Sequence, residues 1–263
     1  MLVETKGLTK AFAHNIVVDR VELQVHRREI FGLIGPNGAG KSTLIKMLTT
    51  LLPPTSGDAS VVGCDLRRNA KGIRAQIGYV PQLLSADGAL TGYENLLLSA
   101  RLYLVPRRDR ESRIREALEM TGLVDSADRL AQHYSGGMLR RLEIAQSTLH
   151  RPTLLIMDEP TVGLDPVARD TVWDHVRNLN ARFGITILIT SHVMAEIDAL
   201  CHRVGILHRG RLEKVGTPAD LKAEIGPEAT LDDVFIRIAG KDPEATGDYG
   251  NIREARKSEN QHA

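Results

Sequence analysis

Two cysteines in 263 residues leave no material for a disulfide framework. Cys64 and Cys201 lie far apart, with no Cys-x-x-Cys or Cys/His ligand spacing. They read as small hydrophobes of a reducing compartment, and a zinc site is unsupported. Aromatic residues are also scarce, at four Phe, five Tyr and one Trp, which weakens any case for base-stacking platforms. Neither sign of charge dominates: 34 Lys and Arg against 33 Asp and Glu leave a formal charge of +1. No global attraction to nucleic acid or anionic lipid follows from that balance, and no nucleic-acid partner is expected. Long apolar runs are missing too. The longest, such as Ile185 to Ile189, are strand-length, whereas a membrane helix needs roughly 18 or more apolar residues. Met1 to Lys6 shows no basic region followed by an apolar block, so no secretory signal is expected. What remains, 42% hydrophobic and 25% charged residues, is the composition of a globular chain of one large domain or two small ones.

The pattern along the chain is α/β. Val21, Leu23 and Val25 alternate with polar residues, predicting a half-buried strand. The run Ile30 to Ile34 is continuously apolar, as in a strand buried on both faces. A glycine-rich turn follows, and then a predicted helix from Ser42 to Leu52 stopped by Pro53-Pro54. Val61-Val62 and Ile77 to Val80 are further short strand candidates. Between about residues 88 and 150 helical periodicity takes over, predicting an inserted α-helical subdomain; the charge run Arg107 to Glu111 reads as a solvated loop and helix start. Strand and helix then alternate again: Thr153 to Met157, Pro166 to Phe183, Ile185 to Thr190. This alternation predicts a mainly parallel sheet with helices on its faces. A hairpin is expected near Arg209-Gly210, joining Val204–Leu207 to Leu212–Val215. Thr217-Pro218 offers a helix N-cap and a first-turn proline. From residue 240 to 263 the chain is polar and reads as a disordered tail. No long internal repeat is visible.

The segment Gly35, Pro36, Asn37, Gly38, Ala39, Gly40, Lys41, Ser42, Thr43 satisfies G-x-x-x-x-G-K-[ST] between a predicted strand and a predicted helix. Polyphosphate binding needs backbone N–H groups that converge, and glycine permits both the dihedrals and the close approach. The helix N-terminus adds partial positive charge. Lys41 is the expected contact to the β- and γ-phosphates, and the Ser42 hydroxyl the expected Mg²⁺ ligand. Further along, Leu154 to Met157 ends in Asp158-Glu159. Adjacent side chains leave a strand on opposite sides and can take different roles. Asp158 suits the Mg²⁺ shell and Glu159 suits polarising an attacking water.

Between those two motifs lies Tyr134-Ser135-Gly136-Gly137-Met138, at the start of an amphipathic helix. With it the chain resembles the ATP-binding cassette (ABC) family of ATPases, whose signature is usually L-S-G-G-Q. Tyr134 and Met138 depart from that signature, while Ser135, Gly136 and Gly137 keep the part used against phosphate. The resemblance covers residues 1 to 239. It implies a P-loop cassette with an N-terminal antiparallel β subdomain beside the parallel core. It further implies that Gln82 touches Mg²⁺ and the attacking water, that Gly163-Leu164-Asp165 is the D-loop, and that Phe12 stacks on adenine. His192 would be the switch histidine; it follows the strand Ile185 to Thr190 directly, unlike His202 or His208.

The family's mechanism, carried over by the same resemblance, pairs two cassettes head to tail around two ATP molecules. Ser135 and Gly137 would then contact the γ-phosphate held by the opposite chain. The expected partners are a second cassette, identical or different, and a separate transmembrane permease that keeps the chain at the cytoplasmic face of the membrane. Leu90 to Leu96 and Leu231 to Phe235 resemble segments of cassettes serving ABC-2-type exporters, including drug-resistance and lipo-oligosaccharide systems. The alternative is a non-transport ABC ATPase. Such proteins usually carry two cassettes or a long coiled coil, and the 52 residues between Gln82 and Ser135 leave no room for the latter. A P-loop kinase or GTPase would need no S-G-G signature, and no guanine-reading N-K-x-D follows Glu159.

Overall fold

The computed structural model describes residues 1–13 and 15–240; the polar tail expected beyond Gly240 lies outside the described residues. Two sheets form the frame. The first is antiparallel and built around β1 (Val3–Phe12), which pairs with β2 (Asn15–Val21), β3 (Gln24–Val25) and β5 (Ser56–Val61), with β6 (Cys64–Asp65) on the outer edge. The second is the core sheet: β4 (Ile30–Ile34), β7 (Ile77–Val80), β8 (Leu154–Asp158), β9 (Thr186–Ser191), β10 (Arg203–His208) and β11 (Arg211–Gly216), in the spatial order β11-β10-β4-β9-β8-β7. Every neighbouring pair in it is parallel except the β10–β11 hairpin.

Within the continuously apolar strands a period of two is hidden. Ile30 and Ile34 of β4, Leu155 and Met157 of β8, and Ile187 and Ile189 of β9 face one core. They pack there against α6 (Pro166–Phe183), α7 (Met194–Leu200) and α9 (Leu231–Ala239) through Val172, Trp173, Ile197 and Phe235. Phe31, Leu33, Ile156 and Leu188 face the other core, where α1 (Lys41–Leu48) and the antiparallel sheet supply Leu44, Leu48, Val3, Leu8 and Val61. Burial on both faces is why these strands carry no polar alternation. A short helix, α2 (Ala70–Arg74), leads into β7, and α8 (Pro218–Ala223) is capped by the Thr217 hydroxyl.

Residues between β7 and β8 form three α-helices, α3 (Gly92–Leu102), α4 (Arg107–Thr121) and α5 (Gly136–Thr148), around a third core of Leu96, Ala100, Ile114, Leu118, Leu142 and Leu149. A capping box starts α3: Thr91 Oγ1 accepts from Glu94 N and Glu94 Oε2 accepts from Thr91 N. The charge run at Arg107 is the first turn of α4.

Two local expectations need correction. The predicted helix from Ser42 ends at Leu48, not Leu52. Thr50 turns left-handed with φ 63°, and the N–H groups of Leu51 and Leu52 both return to Lys46 O, so the stop precedes the prolines. The alternating stretch Val21 to Val25 is two strands. The Thr5 hydroxyl donates to Val21 O and accepts from Leu23 N at 2.7 Å each, replacing the backbone ladder at the break. Strand β1 carries no readable alternation: it bends at Gly7, φ 58°, and its register shifts across that point against β5 and again after Leu8 against β2.

Candidate active site

The glycine-rich loop joins β4 to α1 and lines an open cleft with Val17, Gln82 and Glu159. Its position is fixed from behind by the β10–β11 hairpin, where Gly210 N donates to Ala39 O at 3.0 Å and Gly210 O accepts from Asp19 N at 2.8 Å. Gly40 is the helix N-cap, with φ 103°, and a Cβ there would lie 2.6 Å from Val17 O. Only glycine meets both conditions. No side chain caps this N-terminus, so its first N–H groups point at the cleft as an anion site.

Lys41 is buried at the cleft floor. Its ammonium donates to Gly35 O at 2.7 Å and Pro36 O at 3.2 Å and pairs with Glu159 Oε1 at 3.2 Å. The other Glu159 oxygen, Oε2, lies 2.8 Å from His192 Nδ1. Residues distant in sequence, Lys41, Glu159 and His192, thus meet on one carboxylate. Parallel registry places them: β4, β9 and β8 are adjacent, and loops at their C-terminal ends carry the three side chains.

Asp158 and Glu159 do diverge, by a sharper device than strand alternation. Strand β8 ends at Asp158, and Glu159 is left-handed with φ 48°, a conformation that costs a non-glycine residue and needs support. Thr190 on β9 supplies it. Its hydroxyl donates to Asp158 Oδ1 at 2.6 Å and accepts from Glu159 N at 2.9 Å. The sequence reading missed Thr190; the available signal was a hydroxyl closing the otherwise apolar strand Ile187-Leu188-Ile189. Beside the pair, burial with some help from the Asp158 charge pushes the Tyr79 phenol up to about 12.

Of the remaining predicted residues, Ser42 and Thr43 line the cleft with Gln82, and Asp158 lies just behind it, buried. Phe12 is half-exposed at the end of β1, with the Lys10 ammonium 5.0 Å from its ring centroid, and is not part of the cleft wall. Ser135, Gly136 and Gly137 are not brought to the cleft either. Ser135 is the N-cap of α5, exposed, its hydroxyl accepting from Met138 N at 3.3 Å. Tyr134 turns inward: its phenol donates to Ser126 O at 2.5 Å inside the helical core. Gly92 abuts that phenol and leaves no room there for a Cβ.

The oxygen donors Ser42, Gln82 and Asp158 are the hard ligands that Mg²⁺ takes, and a cation held largely by water and phosphate needs few protein ligands. Among the described residues no three His, Cys, Asp or Glu side chains gather to hold a metal by themselves, and no helix is long and apolar enough to cross a membrane.

Comparison with known proteins agrees with this geometry. Residues 18–162 match the family model for ABC transporters. The daunorubicin/doxorubicin resistance ATP-binding protein of Streptomyces peucetius is 43% identical over 224 residues, covering 85% of this chain and 68% of that protein. The linearmycin resistance ATP-binding protein of Bacillus subtilis (strain 168) is 37% identical over 230 residues, covering 88% and 74%. A solved ATP-binding subunit of an ABC transporter superposes with a TM-score of 0.82 at 32% identity, over 91% of this chain and all of that one. From a family match across the phosphate loop, the signature and the acidic strand, and from relatives aligned over most of both lengths, the chain belongs to the ABC transporter family and carries its ATP-binding, ATP-hydrolysing domain.

Proposed function

We propose that this chain is the ATP-driven subunit of an ABC-2-type membrane exporter, working through a separate transmembrane permease at the cytoplasmic face. The observation that carries the catalytic part is the Glu159 carboxylate held between Lys41 and His192 in the phosphate-loop cleft. The α1 N-terminus and the loop N–H groups bind the phosphates of ATP, and Phe12 offers an exposed ring for the adenine. Phosphate oxygens are stronger acceptors than the loop carbonyls, so Lys41 exchanges Gly35 O, Pro36 O and Glu159 for the β- and γ-phosphates. That exchange frees Glu159 Oε1 to accept the proton of a water attacking the γ-phosphorus. The bond from phosphorus to the β–γ bridging oxygen breaks, and ADP leaves with that oxygen. His192 donates from Nδ1 to the other carboxylate oxygen, fixing the orientation of the base. Mg²⁺, when bound through Ser42, Gln82 and Asp158, supplies neutralisation of the phosphate charge.

Ser135 and Gly137 lie outside the cleft of their own chain, which supports a head-to-tail pair of cassettes in which they meet the nucleotide of the other chain. The relatives named for antibiotic resistance support export. The test is Glu159→Gln. It should retain ATP binding, lose hydrolysis by about 10²–10⁴-fold, and accumulate an ATP-bound dimer in size-exclusion chromatography. Undiminished steady-state hydrolysis would sink Glu159 as the base.

A further inference from the structure

Helix α4 turns one face, with Arg113, Glu116, Ala117 and Met120, towards the end of α6 and the loop between α5 and β8. The space left between them is a cavity of about 250 Å³. Met120, Leu149, Leu179 and Phe183 give it apolar walls, and Phe183 is still 44% exposed. None of the lining residues is shared with the phosphate-loop cleft.

The charges that line this cavity do not balance. Arg151 Nη2 lies 3.1 Å from Glu116 Oε2, so those two neutralise each other. Arg151 makes that reach from a left-handed backbone, φ 56°, a conformation that persists only where its surroundings hold it. Arg113 is left over. It is half-buried, its Nη1 donates to Leu149 O at 3.0 Å, and no carboxylate pairs with it among the described residues. Burial, with the Arg113 charge adding to it, holds the nearby His150 imidazole below the ordinary histidine value, so the local potential is positive. A guanidinium drawn partly out of water without a counter-ion is a place where an anion gains. The apolar walls ask for something else. A small hydrophilic anion would leave them wet, and an uncharged apolar molecule would leave Arg113 unpaired. An alkyl chain ending in a carboxylate meets both demands. Its oxygens accept from the Arg113 N–H groups that Leu149 O leaves unused, and its methylenes replace water against Leu179 and Phe183.

We propose that this cavity is a binding site for a medium-chain aliphatic carboxylate, its head paired with Arg113 and its chain laid between α4 and the end of α6. The site joins the inserted helical subdomain to the core and stands independently of the function proposed above.

The probe is sodium decanoate, titrated calorimetrically into the full chain below its micelle-forming concentration. Octanoate and decyltrimethylammonium serve as comparisons, the latter carrying a chain of the same length and the opposite charge. Binding should saturate at one decanoate per chain, and the melting temperature should rise with decanoate concentration. Each methylene lost should weaken binding about fourfold, so octanoate binds less tightly. Decyltrimethylammonium should show no saturable binding. Arg113→Met, which keeps the apolar stem and removes the charge, should lower decanoate affinity by about tenfold or more. Phe183→Ala should lower it by about fivefold through lost apolar contact. Absence of saturable decanoate binding to the parent overturns the site. Equal affinity for decanoate and decyltrimethylammonium, or for the parent and Arg113→Met, reduces binding to apolar adsorption and overturns it as well. Unchanged affinity in Phe183→Ala puts the chain elsewhere and overturns the assigned place. Should Arg113→Met not fold, the comparison of the two head groups on the parent chain decides alone.

Discussion

Two helix N-termini in this molecule share their ingredients and differ in how they are finished. Helix α1 begins at Gly40, with no side chain capping it, backed by a hairpin and facing a cleft that already holds a lysine and a carboxylate. Helix α5 begins at Ser135, whose own hydroxyl caps Met138 N, and it faces outward. Both are glycine-rich and both suit anions, yet only the first lines the phosphate-loop cleft of its own chain. On the reading proposed above, the second completes a site on another cassette. An open N-terminus surrounded by partners is finished within the chain; the self-capped one leaves Ser135 and Gly136 exposed.

The sharpest way to break this comparison is to disable the two ends separately. Lys41→Ala should weaken ATP affinity by about tenfold or more, whereas Ser135→Arg should leave affinity near the parent value and abolish turnover, since the charged side chain blocks only the outward face. Each chain alone should be inactive. Mixed, they should recover hydrolysis from the one composite site that pairs an intact phosphate loop with an intact signature. No recovery where mixed dimers demonstrably form would mean that α5 does not act across the pair.

A smaller effect is expected behind the signature. Gly92→Ala pushes a methyl into the Tyr134 phenol and should cost about 1–3 kcal/mol of stability, the usual range for overpacking. Tyr134→Phe in the same chain should restore part of it by removing the hydroxyl that collides. Equal denaturation midpoints for Gly92→Ala and the parent would show that the helical core yields there without cost.

The smallest effect is a pH dependence. Burial holds the imidazoles of His150 and His175 below the ordinary histidine value, aided by Arg113 for the first and Arg141 for the second. The unfolded chain therefore takes up these protons first as pH falls below about 6.5, and stability is lost from there down through the folded values. Glu143 and Glu196, held above the usual carboxylate range chiefly by burial, act in the opposite sense at lower pH. The clean readout is accordingly a difference. Melting temperature should fall less steeply between pH 7 and 5.5 in His150→Gln than in the parent, and identical slopes would remove His150 from the account.

Contiguous chemistry was legible in the sequence, and convergent chemistry was not. The phosphate loop and the Asp158-Glu159 pair are each a few residues long and sit at apolar strand ends, so strand and turn could be read together. His192 could be chosen among histidines because it directly follows an apolar strand. That Lys41, Glu159 and His192 share one carboxylate depends on the lateral order of β4, β9 and β8, which no local pattern encodes. Arg140 and Glu143, an ion pair buried on α5, escaped for a different reason. Charged residues on a helix are ordinarily solvated, and only the approach of the Gln82 loop buries these two. The longest strand, β1, was lost because a bend at Gly7 interrupts the alternation that would have revealed it.

Thr190 has one hydroxyl and two clients. It holds Asp158 and Glu159 at once because β8 and β9 pair Asp158 with Thr190 in parallel register. A slip of β9 by one residue would turn that hydroxyl to the opposite face of the sheet and release both carboxylates together. If Glu159 is the base, as proposed above, such a chain could keep its apolar layers and still fail to hydrolyse ATP. Hydrolysis would then also report on folding fidelity, because a misregistered sheet would be silent.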